Sequence, residues 1–379
     1  MEEMSLFDFL SEEEAEKFKP QKSTDWKWTM KDDYPKEKNG LKVFSCFACG
    51  GGSTMGYKLA GCEVLGCCEI DPKMNEVYVK NHNPKYNYLM DIREFNKVPN
   101  KDLPEELFNL DILDGSPPCT TFSMAGDREE SWGKKKKFRE GQAEQTLDDL
   151  SFVFIETVAK LKPKVVIMEN VEGLVKGEAF SYVQKIYKQL GEVGYKLKHW
   201  VLKAQHMGVP QRRHRVFFIA LRKDVFKGFD LHSLDMSFNY EPITYGEIKE
   251  GKGKELTENI KIVFEHLKKG EKDLVSAWNR VHNPGKPEKR MWFNSIISYD
   301  NEVIQTISGD HGSMFDFAEK RKVSMKSIAN ACTFPQDYIF DGQRIEYICG
   351  MSVPPIMIKR IVNRLIDSGI FKYKENEDV

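Results

Sequence analysis

From Leu41 onward, short apolar runs alternate with amphipathic stretches along the chain. LKVFSCFA (41–48) reads as a strand, CGGGS (49–53) as a glycine turn and TMGYKLAG (54–61) as a short helix closing on glycine. EVLGCCEID (63–71) is a second strand ending in acids, and PKMNEVYVKNH (72–82) a second helix opening on proline. Residues 88–92 are strand-like around Asp91, 110–113 lead as a strand into the Cys119 loop, and 149–161 have helical spacing. Residues 164–168 form another strand, running into Glu169-Asn170-Val171. A helix over 179–190 and a strand over 216–221, just after QRRHR (211–215), complete the series. This rhythm predicts an α/β fold with a doubly wound, Rossmann-like sheet and its polar residues of interest at carboxyl ends of strands.

Beyond Arg222 the rhythm fails. Residues 223–310 are mixed and loop-rich, with basic and aromatic positions such as Lys268, Lys269, Trp278, Arg280, His282 and Trp292. An ordinary solvated surface would read the same way, because Glu265, Glu271 and Glu288 are interspersed. Helical spacing returns at 356–366, after GMSVPP. The expected division is an N-terminal extension (1–40), a main domain (41–222 plus 345–379) and a smaller domain (223–344). The extension carries Trp26 and Trp28 but no periodicity, so it is expected to be partly disordered or draped over the surface.

Composition narrows this picture only at its edges. At 379 residues and 40% hydrophobic content, the chain can build a sizeable core and exceeds one average domain. A formal net charge of −1 leaves any polyanionic partner to local clustering. No apolar run approaches the ~18–20 residues of a membrane span. The acidic start lacks the features of a signal peptide, so a soluble, cytoplasmic protein is expected. Eight cysteines at irregular spacing read as reduced. Cys46 and Cys49 form a CxxC, yet no second pair or paired histidines complete a metal site, and none is expected.

Two stretches carry chemistry. In DILDGSPPCTTFS (111–123) an apolar run ends in an acid and a glycine, and Pro117-Pro118 then stiffen the lead-in to Cys119. A thiol on such a loop is a candidate nucleophile, although a small buried apolar residue would look the same. The second stretch is the strand, glycine turn and helix of 41–61, followed by a strand ending at Glu69. That order marks a nucleotide-binding βαβ unit with Glu69 placed for ribose hydroxyls, although the spacing is not GxGxxG.

FACGGG (47–52), Glu69-Ile70-Asp71, Asp91, PPCTTFS, ENV and QRRHR follow one another over 44–215. With RKVSMKSIANACTFPQDY (321–338) and GMSVPP (350–355), this order resembles the DNA (cytosine-5)-methyltransferases over roughly 41–370, most of the chain. The resemblance implies a thiolate at Cys119 that adds to carbon 6 of cytosine. It implies that Glu169 contacts the ring nitrogen N3 and shares a proton with it. Arg215, with Arg213 close by, would support the activated base. Carbon 5 then takes a methyl group from S-adenosyl-L-methionine. Phe47, Gly51, Gly52 and Ser352 would line that cofactor, with Glu69 on the ribose, Ile70 against the adenine, Asp91 at its amine and Pro118 near the sulfonium.

The target base must leave the duplex stack to be reached. Residues 127–139 (DREESWGKKKKFR) match the family loop that closes over it, and Lys134, Lys135, Lys136 and Lys137 suit phosphate contacts. Ser123 and Gln211 are the other implied DNA contacts, and residues 223–310 stand where the family reads base edges. The expected partner is therefore double-stranded DNA, met by a monomer in a restriction-modification or phage setting, with a cognate endonuclease as functional counterpart. A DNA-binding relative without activity would lack Cys119 or Glu169, and both are present. An RNA cytosine-5 methyltransferase would keep the same set, so that alternative stays open on sequence. The family usually has Asp at position 45, Gly at 49, Glu near 327 and Asn at 351; here they are Ser45, Cys49, Ser327 and Met351. Neither Ser45 nor Met351 offers the charge or amide it replaces, so weakened cofactor binding is expected.

Overall fold

The computed structural model describes residues 19–118, 149–289, 291–292, 294–309 and 314–372. Its centre is a seven-stranded sheet in the order β3-β2-β1-β4-β5-β8-β6. The strands are β1 (Lys42–Cys46), β2 (Glu63–Glu69), β3 (Tyr86–Leu89), β4 (Ile112–Gly115), β5 (Val165–Val171), β6 (Tyr195–Lys203) and β8 (His214–Arg222), with the short β7 (Gln211–Arg212) leading into the last. Strands β3, β2, β1, β4 and β5 are mutually parallel, while β8 runs antiparallel to both β5 and β6. The order reverses between β1 and β4, the switch point at which doubly wound sheets bind ligands.

Helices cover both faces. After the short α1 (Met30–Asp33) come α2 (Gly52–Leu59), α3 (Pro72–His82), α4 (Ile92–Lys97), α5 (Leu150–Leu161) and α6 (Phe180–Glu192). Pro72 at the first turn of α3 follows an Asp71 cap that accepts from the backbone N–H groups of Lys73 and Met74, so the sharp strand-to-helix turn is built into the sequence. Strand residues alternate between two cores. Val43, Ile112, Val165 and Ile167 pack with Met55 and Tyr57 of α2, whereas Phe44, Leu113, Val166 and Met168 pack with Phe154 and Val158 of α5.

The expected βα series runs from Lys42 to Arg222 with two differences. The strand expected at 88–92 is Tyr86–Leu89, because Asp91 caps a helix that starts at Ile92, and one strand is added to the sheet. β6 has no continuous apolar run (YKLKHWVLK), and as an edge strand it buries only Tyr195 and Leu202. Past Arg222 come α7 (Tyr245–Ile248), α8 (Glu258–Glu265) and α9 (Val275–His282). A three-stranded sheet follows, built from β9 (Ile296–Ser298), β11 (Met314–Asp316) and β12 (Arg321–Lys322), while β10 (Ile304–Gln305) pairs with β7. A separate small core gathers Leu256, Val263, Phe264, Leu274, Ala277, Ile297, Tyr299 and Phe315. The flanks of this region, including Phe226, Leu231, Ile243, Ile328 and Phe334, join the main core instead.

Three C-terminal helices complete the chain: α10 (Met325–Ala331), α11 (Ile345–Met351) and α12 (Pro355–Asp367). The last matches the helical spacing of 356–366 and buries Ile358, Ile361, Val362 and Leu365. The described part of the extension, 19–40, packs on the main core through Trp26, Trp28, Met30 and Tyr34. Trp28 is buried and donates its indole N–H to the Thr333 carbonyl at 2.8 Å, and Asp337 accepts from the backbone of Met30 and Lys31.

Candidate active site

The glycine turn between β1 and α2 holds three left-handed residues, Phe47, Cys49 and Gly51. At Gly51 (φ +85°) a Cβ would lie 2.1 Å from the His82 imidazole, and at Gly52 one would lie 2.3 Å from the Val353 carbonyl. No side chain fits either place, so the backbone itself forms the floor. The Gly50 carbonyl anchors the turn by accepting from Tyr338 Oη at 2.5 Å and from His82 Nε2 at 3.2 Å. That geometry puts the proton on Nε2. Burial pushes the His82 pKa down to about 3, so the ring is neutral.

Glu69 ends β2 beneath this turn. Its Oε2 accepts from the Cys49 backbone N–H at 2.7 Å and its Oε1 from that of Asp71 at 2.8 Å. Burial raises its pKa while those two N–H donors oppose the rise. Ile70 and Phe47 are half-buried at the same edge, and the Phe47 ring lies 6.3 Å from that of Phe154. Asp91 caps α4 through the Arg93 N–H at 2.8 Å and pairs with the Arg93 guanidinium at 3.3 Å. Ser352 packs against Gly52, its hydroxyl buried beside the Cys49 thiol with no nitrogen or oxygen partner.

On the other side of the switch point, β5 ends in Glu169-Asn170-Val171. The Asn170 side-chain amide donates to the Pro117 carbonyl at 3.2 Å, tying ENV to the PPC segment. Antiparallel register sets Arg215 of β8 opposite Val171, diagonal to Glu169 on the same face. Arg215 Nε meets Glu169 Oε1 at 2.9 Å, and Arg215 also donates to the His214 carbonyl. Burial and the neighbouring Arg213 charge pull the Arg215 pKa down to about 9, which leaves it cationic at neutral pH. Arg213 is buried more deeply and forks to the carbonyls of Ile307 (3.2 Å) and Gly350 (3.1 Å).

Sequence reasoning named most of this constellation, and the structure brings Glu169, Arg215, Glu69, Pro118 and the glycine turn to one edge of the sheet. Gln211 is different: it is fully buried, donating to the Ala331 carbonyl and Cys332 Sγ and accepting from the Ile307 N–H, so it presents nothing to a DNA surface. Cys119, Ser123 and Lys134–Lys137 lie outside the described residues. His82, Tyr338, Asn170 and Asp114 were not among the expected site residues. Asn170, Asp114 and Tyr338 lay inside quoted motifs, but nothing local signalled that Tyr338 would meet Gly50, 288 residues away.

A doubly wound sheet with a glycine turn at its switch point, beside a buried acid–arginine pair, has the layout of an enzyme that binds a nucleoside-bearing ligand at its strand ends. Residues 41–367 match the family model for C-5 cytosine-specific DNA methylases, so the chain belongs to that family. It is a DNA (cytosine-5-)-methyltransferase whose methyl donor is S-adenosylmethionine. It is 26% identical over 336 residues to the type II methyltransferase M.HindV of Haemophilus influenzae, spanning 86% of this chain and 97% of that protein. It is 25% identical over 352 residues to M1.HphI of Haemophilus parahaemolyticus, spanning 86% and 87%. A crystal structure of a Spodoptera frugiperda DNMT2 mutant shares the fold at TM-score 0.59 and 16% identity, over 86% of this chain and all of that one. Among the described residues no helix is long and apolar enough to cross a membrane, and no His/Cys/Asp/Glu cluster could hold a metal ion.

Proposed function

We propose that the chain methylates carbon 5 of a cytosine flipped out of a specific duplex sequence, through a covalent bond from Cys119 to carbon 6. The observation that carries this reading is the buried Glu169–Arg215 pair at 2.9 Å, tied through Asn170 to the Pro117 carbonyl two residues before Cys119. The tie holds an acid, a cation and the lead-in to a thiol at one strand end, where a single base can meet all three.

The residues divide the work by chemistry. The Cys119 thiolate adds to carbon 6, and charge builds on the ring. Glu169 shares a proton with N3 and Arg215, cationic beside it, offsets the rest. Arg213 braces the site by holding the Ile307 and Gly350 carbonyls. The glycine turn and the Ser352 hydroxyl, which has no nitrogen or oxygen partner, would hold S-adenosylmethionine, whose amino-acid end needs polar partners. When bound, that cofactor supplies the methyl group. Loss of the carbon-5 proton and elimination of Cys119 restore the ring and the enzyme.

The proposed extent of the smaller domain is 223–344, with target recognition centred on 223–310, and Lys134–Lys137 on phosphates. We assign the protein to the cytoplasm as a monomer, with a cognate restriction endonuclease as its functional rather than physical counterpart. Duplex DNA with 5-fluorocytosine at the target tests the covalent step, because fluorine cannot leave as the carbon-5 proton does. Wild type should form a denaturant-resistant adduct, and Cys119→Ala should form none and transfer no methyl while remaining folded. Full turnover by that variant would end the proposal.

A further inference from the structure

Asp114 is a buried carboxylate, 2% exposed, at the next-to-last position of β4. Parallel register places it opposite Ser45, the next-to-last residue of β1, so the two side chains share one face at the switch point. Ser45 Oγ donates to Asp114 Oδ2 at 2.6 Å and Tyr57 Oη of α2 to Oδ1 at 3.1 Å. Ser53, in the first turn of α2, adds a third hydroxyl. The carboxylate therefore lies directly beneath the glycine turn and the start of its helix.

The partners that offset this charge among the described residues are three neutral hydroxyls. Among the described residues, no Lys, Arg or His pairs with Asp114, in contrast to Glu169 with Arg215 or Asp91 with Arg93. The ionisable groups that act on it, among the described residues, are Cys46 from β1, Tyr57 from α2, Tyr78 from α3 and Glu169 from β5, and none of them is cationic. A buried carboxylate without a cation costs free energy, and burial accordingly raises its pKa to about 7. Of the two ligands of the reaction, DNA is an anion and would add to the cost. The cofactor alone brings cations, an ammonium and a sulfonium.

We propose that Asp114 is the negative charge that binds the cationic end of S-adenosylmethionine, oriented by the hydroxyls of Ser45, Ser53 and Tyr57. This rests on the functional reading above. It also accounts for Ser45: the charge missing from β1 is supplied 2.6 Å away by the neighbouring strand. The weakening expected from position 45 is then compensated within the strand pair.

Calorimetric titration with S-adenosylmethionine and with S-adenosylhomocysteine, which lacks the sulfonium charge, tests the inference. Asp114→Asn keeps the size and the acceptor oxygen, and should weaken S-adenosylmethionine binding by about tenfold or more, roughly 1.4 kcal/mol per decade. Loss for both ligands assigns the charge to the ammonium, and loss for S-adenosylmethionine alone assigns it to the sulfonium. Ser45→Asp combined with Asp114→Asn returns the carboxylate to β1 and should recover most of the affinity, which a purely structural defect would not. Equal binding by wild type and Asp114→Asn, or no recovery in a folded double variant, overturns the inference. Failure of the wild type itself to bind either ligand would count against the functional reading instead.

Discussion

Replacing Glu169 with Gln separates its chemical from its structural role. The Gln oxygen still accepts from Arg215 Nε at the 2.9 Å position, but the charge that balances the guanidinium is gone. Both side chains are largely buried, at 15% and 11% exposure, so solvent does little to screen the loss. Breaking a buried pair outright costs about 3–5 kcal/mol. Gln keeps one hydrogen bond, and Arg215 keeps its bond to the His214 carbonyl, so the lower figure applies. At roughly 2.1 cal/mol/K per residue of unfolding entropy, 379 residues turn about 3 kcal/mol into a fall of about 4 °C in Tm. The catalytic loss should be far larger. A group that can no longer share its proton costs ~10²–10⁴ in rate, and the loss should fall on turnover rather than on DNA or cofactor affinity. Single-turnover transfer of labelled methyl to target duplex, with both substrates saturating, reads the rate; scanning calorimetry reads the fold. An unchanged rate in a protein only slightly less stable would remove Glu169 from the mechanism.

Three further outcomes follow from the same geometry. His82 is neutral when folded, with its pKa near 3, but takes a proton below about 6.5 when unfolded; stability should therefore fall as pH drops from 6.5 toward 3, by up to roughly 1.4 kcal/mol per unit. His82→Gln, which can still donate to Gly50, should flatten that part of a urea-midpoint-against-pH profile, and an unaltered slope would show that other groups set it. Arg213→Lys loses the fork between the Ile307 and Gly350 carbonyls and should lower stability by about 1.5–3 kcal/mol, read as the free energy of urea unfolding; a loss of methyl transfer with no loss of stability would mean Arg213 meets the base directly. Met351 is 36% exposed and packs on Gly309, so Met351→Asn can restore the amide of the family motif at little structural cost. It should tighten S-adenosylmethionine binding by the ~0.5–1.5 kcal/mol of one hydrogen bond in calorimetric titration, and unchanged affinity would show that position 351 is compensated elsewhere.

What the chain determined by itself is local. Apolar runs such as LKVF, EVLG and VVIM, with Pro72 and Asp71 between strand and helix, fix the βα order because each is a property of a few adjacent residues. The motif residues at strand ends were legible for the same reason, since chemistry at a strand end is carried by short contiguous stretches. Tertiary structure decided the partners. Arg215 finds Glu169 only because β8 runs antiparallel to β5 in one register, and Ser45 finds Asp114 only because β1 and β4 are neighbours across the switch point. Strand β6 escaped the sequence reading because an edge strand that buries two of nine side chains needs no apolar run. Gln211 shows the same limit from the other side: it stands in a motif that points to DNA, yet the packing of α10 and the Ile307 segment consumes its amide in the interior. Charge and burial depend on which segments meet, and that meeting is set by strand order and register, which no local pattern encodes.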